Sequence, residues 1–452
     1  MEKNLTTGSV FKTIVSFSLP FLLSYFLQTL YGMADLFIIG QFYGVDSTTA
    51  VSIGSQVMHM LTVMIVGLAM GSTVLIGRAV GAGDSKQASL AVGNTAVLFL
   101  SLSVLGTVLL LWAVEPIVSL MSTPAEAASG TARYLTICFL GIPFITAYNI
   151  ISSIFRGMGD SKSPMYFVAV ACAFNIGLDY LFIGGCGLGT AGAALGTTLS
   201  QTISVAVSLF IVQKRGMIPG ICAADFKPQK KMMGGILKIG VPVAIQDGFI
   251  QVSFLIITIL ANRRGLNDAA AVGIVEKLIG ILFLVPSSML SSVSALSAQN
   301  IGAGKHGRAK ETLKYGIQIA VCFGVAASVL MQFAAEGAVG LFTAQEEAVR
   351  LGGQYMRGYV WDCIFAGIHF CFSGYFCAYG RAGISFVHNL ASILCARIPL
   401  AYLASRYFLD SLFPMGLAAP TGSLLSVIIC IGAFVWMEKQ NRMGALHGEG
   451  LL

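Results

Sequence analysis

Twelve apolar stretches, each long enough to cross a bilayer, constrain this chain more than any other feature. A crossing helix needs about 20 mostly apolar residues, because the hydrocarbon core is about 30 Å thick and each residue advances a helix by about 1.5 Å. Such stretches occupy roughly residues 13–39, 50–77, 88–113, 131–155, 164–184, 191–213, 234–261, 269–298, 311–335, 352–378, 384–407 and 417–437. In lipid the backbone must satisfy its own hydrogen bonds, so each stretch is expected to be helical. The fold class predicted is an all-α integral membrane protein with twelve transmembrane helices. Composition agrees: 56% of the 452 residues are hydrophobic and only 10% charged, with a mean hydropathy of +0.82. That is too little charge to cover a soluble surface. The polar opening, residues 1–12, runs directly into the first stretch with no small-residue cleavage motif, so that stretch reads as a span rather than a removed leader.

The formal net charge of +7 would suit nucleic acid only if the cations clustered with aromatic residues; instead they sit in short loops, so no nucleic-acid partner is expected. Lys3, Lys12, Arg78, Lys86, Arg156, Lys162, Lys214, Arg215, Lys227, Lys230, Lys231, Lys238, Lys305, Arg308, Lys310, Lys314, Arg381, Lys439 and Arg442 fall on one side of the membrane. Only Arg133, Arg263, Arg264, Arg350, Arg357 and Arg406 fall on the other. By the positive-inside rule both termini are expected to be cytoplasmic, and the setting a plasma (inner) membrane. Residues 216–233, with Pro219 and Pro228, form the longest polar stretch and read as a solvated cytoplasmic linker between six-helix lobes of 1–215 and 234–452. The ten cysteines lie mostly in apolar runs and form no CxxC pair, so they read as small helix residues, with no disulfide framework or metal site implied.

The two lobes repeat each other. Shifted by 221 residues, Gly81-Ala82-Gly83 falls on Gly302-Ala303-Gly304, Gly44 on Gly265, Val51 on Val272, Tyr134 on Tyr355 and Gly159 on Gly380. With one more residue of offset, Pro20 meets Pro242 and Tyr180-Leu181 meets Tyr402-Leu403. Six helices is an even number, so the second lobe enters from the same side as the first. The repeat is parallel, with its pseudo-axis along the membrane normal, a geometry suited to alternating access. Gly302-Ala303-Gly304-Lys305 looks superficially like a phosphate loop, but Gln299 stands where the first glycine is needed and His306 where Ser or Thr is needed. These sequences read as tight turns.

Ionisable residues inside spans are functional candidates because an unpaired charge in hydrocarbon costs at least a few kcal/mol. Asp35 lies near the outer end of the first span, and Asn175 and Asp179, four apart, share a face of the fifth. Thr197 reaches similar depth from the sixth, so the four make an oxygen-rich set that could hold a hard cation or a proton. Gln246, Asp247, Gln251, Glu276, Lys277, Asp362, His369 and Arg397 form the second lobe's polar set. From both lobes, Gln28, Asp247, Gln251, Glu276 and His369 are the candidate substrate contacts. Asp362 reads equally as a solvated residue near the outer end, and His369 as a satisfied bundle residue. Pro20 is expected to bend the first helix.

The segments SLPFLLSYFLQTLYGMADLFIIGQFYG, GRAVGAGD, FRGMGDSKSP and AQNIGAGKHGRAK together resemble the multidrug and toxic compound extrusion (MATE) family across nearly the whole chain. The resemblance implies twelve helices in two lobes and export of lipophilic, often cationic compounds in exchange for Na⁺ or H⁺, with no cofactor. Asp35, Asn175, Asp179 and Thr197 match the amino-lobe cation site of the DinF-type branch, and Pro20 matches its bend proline. In another branch acids of helices seven and ten serve; here Asp247 and Asp362 fall off those positions. The alternative is a flippase for a lipid-linked oligosaccharide or other amphiphile of the same wider superfamily, whose members typically carry fourteen helices. An enzyme is not expected: there is no HExxH or nucleophile elbow, and His59, His306, His369, His388 and His447 are scattered. The partners expected are a small-molecule substrate and the bilayer, with the protein acting as a monomer.

Overall fold

The computed structural model describes residues 5–215 and 221–446, and every regular element among them is helical. Among the described residues ten helices are long and apolar enough to cross a membrane, and counting each of two bent pairs as one span brings the total to twelve. We number them α1 (Val10–Phe42), α2 (Val45–Gly81), α3 (Ser85–Trp112), α4 (Ala125–Leu140 with Ile142–Gly157), α5 (Lys162–Gly185) and α6 (Thr190–Lys214). The second set is α7 (Lys230–Asn262), α8 (Leu266–Gly302), α9 (His306–Gly340), α10 (Glu346–Tyr359 with Asp362–Ala378), α11 (Ala382–Tyr407) and α12 (Phe413–Gln440). The broken helices are α4, bent by 51°, and α10, bent by 41°. These are each other's counterparts in the repeat, so the break was duplicated with the rest. Pro20 and Pro242, also counterparts, lie inside α1 and α7 without interrupting either helix.

Contacts divide the chain into one compact unit of residues up to 244 with 295–309, and a second of 245–294 with 310 onward. Within the first unit α5 packs chiefly on α6 and α1, and α2 on both segments of α4. Its close approaches are made by glycine. A Cβ on Gly71 would lie 2.1 Å from the Ile236 carbonyl oxygen, and one on Gly240 would lie 2.2 Å from that of Leu68. The α2–α7 crossing therefore excludes any side chain at either position, as small-residue crossings in lipid do. Within the second unit, α10 packs on α8 and α12 around a core that includes Ile257, Val272, Val275 and Met415.

One reading of the sequence needs correction. The linker is not uniformly solvated: residues 221–229 are docked on α3, with Asp225 fully buried. The Asp225 carboxylate accepts hydrogen bonds from Lys86 Nζ at 2.7 Å and from the Cys222 backbone N–H at 3.0 Å. Asn94 donates to the Asp225 carbonyl at 3.3 Å and accepts from the Gln229 N–H at 2.7 Å. Gly93 lets this turn sit on the helix, since a Cβ there would lie 2.3 Å from the same carbonyl. Residues 216–220, including Pro219, lie outside the described residues, as do Lys3 and His447. Arg264, counted among the cations of the sparser side, is held by many partners. Its guanidinium donates to Asp268 at 2.6 Å and to the carbonyls of Ser405, Phe408, Leu409 and Ser411.

Candidate functional site

Asp35, Asn175, Asp179 and Thr197 converge in the first unit, on α1, α5 and α6. Asp35 is 3% exposed, Asn175 1% and Asp179 0%. Thr197 Oγ1 donates to Asp35 Oδ2 at 3.1 Å. Asp179 and Asn175 are the other immediate polar neighbours of the Asp35 carboxyl.

Local helix chemistry places each group. In α5 the regular helix ends at Asp179, and residues Tyr180–Gly185 continue as a wider π-type turn. Such turns free backbone groups from the regular ladder and recur at functional sites. Gly196, one residue before Thr197, leaves room for the Asp179 carboxylate, since a Cβ there would lie 2.0 Å from Asp179 Oδ1. Above the site Ile38 and Ile39 pack with Tyr134, Leu135, Ala193 and Ala194 in an apolar core that keeps solvent from that face.

The oxygen inventory is unusual for a folded interior. Asp35 Oδ1, both oxygens of Asp179 and both amide atoms of Asn175 are buried with no hydrogen-bond partner. A buried polar atom left unpaired costs about 1–3 kcal/mol, and a charged one more. Two neighbouring buried carboxyls cannot both stay ionised unless something positive lies between them. The arrangement can therefore accept a proton or a small hard cation with oxygen ligands.

The spacing of the set extends beyond the four residues expected from sequence. Tyr31 lies four before Asp35 and next to it, and its hydroxyl meets Gln201, four after Thr197. Each of the three helices thus contributes an i, i+4 pair: Tyr31–Asp35, Asn175–Asp179 and Thr197–Gln201. That spacing was a signal present in the sequence for Tyr31 and Gln201 but was not used. Gly196 carried no such signal, because its role is to be absent from a space. Gln28, a turn earlier on α1, reaches the Tyr148 hydroxyl.

The second unit's candidates do not all gather. Asp247 and Gln251 are half-buried on α7, Asp247 near Cys377. Glu276 accepts from Thr258 Oγ1 at 3.2 Å and lies within electrostatic reach of Arg397. Asp362, expected to be as readily solvated as functional, is 1% exposed at the break of α10, where it begins the second segment. His369 is not a satisfied bundle residue: it is buried with Nδ1 unpartnered. Nor are the histidines all scattered, for its ring lies 5.6 Å from that of His388. His388 is itself satisfied by Ser373 at 3.0 Å and Ser426 at 3.2 Å. No group of three or more metal-ligating His, Cys, Asp or Glu occurs among the described residues.

The MatE family model matches residues 20–181 and 242–403. The two stretches start at Pro20 and Pro242 and end at Leu181 and Leu403, so the copies are in register at a displacement of 222 residues. The chain is 27% identical over 445 residues to the probable multidrug resistance protein YoeA of Bacillus subtilis, spanning 96% of this chain and 95% of that one. It is 29% identical over 402 residues to YpnP, another probable multidrug resistance protein of that organism, spanning 89% and 90%. A MATE crystal structure in complex with MaL6 superposes with a TM-score of 0.87 at 25% identity, over 98% of this chain and 99% of that one. With both copies of the repeat matched and the twelve-helix architecture shared, the chain belongs to the MatE family of multi-pass membrane transporters.

Proposed function

We propose that the protein is a secondary antiporter that exports lipophilic, often cationic, drug-like compounds by alternating access, coupled to entry of Na⁺ or H⁺ at Asp35, Asn175, Asp179 and Thr197. The observation that carries this reading is the pair of buried carboxyls, Asp35 and Asp179, whose remaining oxygens have no partner in the protein. Their charge state must follow whatever cation is available, so loading and emptying the site changes the local electrostatics by a full charge. A change of that kind in a low-dielectric interior can bias a two-state equilibrium by several kcal/mol. The names of the relatives, multidrug resistance proteins, support drug-like compounds as cargo. The excess of Lys and Arg on one side supports cytoplasmic termini and a plasma-membrane setting. The test is efflux of a fluorescent lipophilic cation from proteoliposomes with Na⁺ and pH gradients imposed separately. At least one gradient should drive dye movement; movement indifferent to both removes the antiporter reading.

A further inference from the structure

The chain that leads into α1 is strapped to the α8–α9 turn. Lys305, which follows Gly302-Ala303-Gly304, donates through Nζ to the Thr6 carbonyl at 2.8 Å and to Thr6 Oγ1 at 3.3 Å. Arg308 donates from Nη1 to the Gly8 carbonyl at 2.8 Å, and from Nη2 to the carbonyls of Thr7 at 3.2 Å and Leu5 at 3.5 Å. Its Nε donates to Asn300 Oδ1 at 3.1 Å, which aims the guanidinium. Gln299 Oε1 accepts from the Leu5 N–H at 3.3 Å, and its Nε2 donates to the Gly157 carbonyl at 2.9 Å. All of these residues belong to the first unit, although 299–308 come from the second copy of the repeat. Alternating access moves one copy against the other, so the turn must part from α1 in one half of the cycle. We propose that residues 5–8 are a releasable latch, closed by Lys305 and Arg308 and opened whenever the α8–α9 turn parts from α1.

The strap is built to come away. At the 221-residue offset Lys305 and Arg308 correspond to Asp84 and Gln87, and there Asp84 caps α3 by accepting from the Gln87 N–H at 2.9 Å. The clamp is therefore an addition to the second copy, not a part of the duplicated scaffold. Nor does α1 need the strap in order to begin. Ser9 caps it, with Oγ accepting from the Lys12 N–H at 3.5 Å and its carbonyl from Thr13 Oγ1 at 2.8 Å. Gly8, between strap and cap, has φ of 74° and open space where a Cβ would stand, so it serves as a swivel. Detachment then leaves the first turn of α1 wound. Thr7 and Gly8 are exposed, so their carbonyls and the two cations regain water on release, which lowers the cost of opening. Leu5, 3% exposed, is the apolar anchor that holds the strap down between releases.

The proposal rests on the alternating-access reading, and one arm of its test does not depend on transport. Leu5→Cys keeps every strap bond, because residue 5 makes them with its backbone. It is introduced where the exposed Cys186, Cys222, Cys322 and Cys395 have been replaced by serine. A maleimide should label the new thiol at least about tenfold faster than buried Cys138 and Cys371, since a latch opens locally and core thiols wait for wider unfolding. Arg308→Gln should raise that rate by about tenfold or more, the worth of a charge-assisted hydrogen bond. If Arg308→Gln does not fold, Lys305→Gln takes its place. Labelling as slow as that of Cys138, or indifferent to loss of the cation, overturns the latch. In the second arm a short, reducible bifunctional thiol reagent joins Leu5→Cys to Gln299→Cys, replacing the bond between those residues. Gradient-driven dye efflux should fall by at least about tenfold when bridged, as for any gating step held shut, and recover on reduction. Undiminished efflux in the bridged protein also overturns the latch. A wild type driven by neither gradient overturns the antiporter reading instead, and the labelling rates still decide the latch.

Discussion

Gly81 and Gln299 touch across the helix ends so closely that a Cβ on Gly81 would lie 1.9 Å from the Gln299 carbonyl oxygen. The repeat answers in kind, because a Cβ on Gly302 would lie 2.0 Å from the carbonyl of Arg78. Residues 78 and 81 map onto 299 and 302 at the 221-residue offset, so the α2–α8 crossing is reciprocal. The two glycines of each Gly-Ala-Gly turn do different jobs. Gly81 and Gly302 permit the crossing, whereas Gly83 and Gly304 adopt φ of 71° and end their helices.

Alanine substitutions should therefore rank. Gly83→Ala or Gly304→Ala forces a left-handed conformation on a residue with a Cβ, at about 1–2 kcal/mol. Gly81→Ala or Gly302→Ala meets backbone that no rotamer can move aside, so its cost should exceed the ~1–3 kcal/mol of ordinary overpacking. Thermal unfolding in detergent reads the order; equal losses at 81 and 83 would contradict the division of roles.

Gly196→Ala makes a contrasting case. The atom its Cβ would strike, Asp179 Oδ1, is the end of a side chain that can rotate away. Stability should change by no more than about 1 kcal/mol, within the range for a relieved contact. Gradient-driven dye transport should nevertheless fall by about tenfold or more, as the displaced carboxylate leaves Asp35. A variant with normal coupling would show that Asp179 need not occupy its present position.

Residue spacing explains why much of this was legible and where it was not. Span number and the repeat follow from hydrophobic runs and glycine register, both of which one sequence displays. Asp35, Asn175, Asp179 and Thr197 could be grouped because depth along a helix is countable from its ends. Rotation about the helix axis and long-range docking are not countable in that way. Asp362 was placed by depth alone, without the break in α10 that turns it inward. Asp225 lay in a polar stretch, and the notch at Gly93 together with the bonds of Lys86 and Asn94 makes that stretch bind α3. Arg264 counted as a charge on the sparser side, whereas its hydrogen bonds go to carbonyls more than 140 residues away.

Asp225 predicts a pH dependence. The Lys86 ammonium, with the Cys222 N–H and thiol, lowers its pKa to about 2. The folded value lies below the unfolded value of about 3.9, so the docked linker is favoured above pH 4. That preference should fade as pH drops from about 4 to 2. Hydrogen exchange of residues 221–229, corrected for intrinsic rates, should show protection lost over that window. Lys86 is 64% exposed at its side chain, so Lys86→Ala should matter less than Asp225→Ala, which also removes the acceptor of the Cys222 N–H.

Arg264 should not tolerate lysine. An ammonium has three donors on one point, whereas the observed set needs a planar fork reaching Asp268 on one side and the 405–411 turn on the other. Each charge-assisted hydrogen bond is worth about 1.5–3 kcal/mol, so Arg264→Lys should cost at least about 2 kcal/mol in the second unit. Unfolding in detergent would measure it, and a loss near that of Arg264→Ala is expected, since the freed carbonyls are the same.

Asp35→Asn tests the site without breaking its shape. The amide fills the same volume but cannot ionise, so the buried carboxylate pair is reduced to one acid. Removing an unpaired buried charge tends to hold or raise stability. Unfolding temperature in detergent should therefore stay level or increase, while response to an imposed Na⁺ or pH gradient disappears. Thr197→Ala should act more weakly. It removes the single 3.1 Å hydrogen bond to Asp35 Oδ2, about 1 kcal/mol, and so should reduce cation affinity by about fivefold. Full coupling in Asp35→Asn, or a Thr197→Ala defect as deep as that of Asp35→Asn, would mean that the bound ion is held by some other set of oxygens.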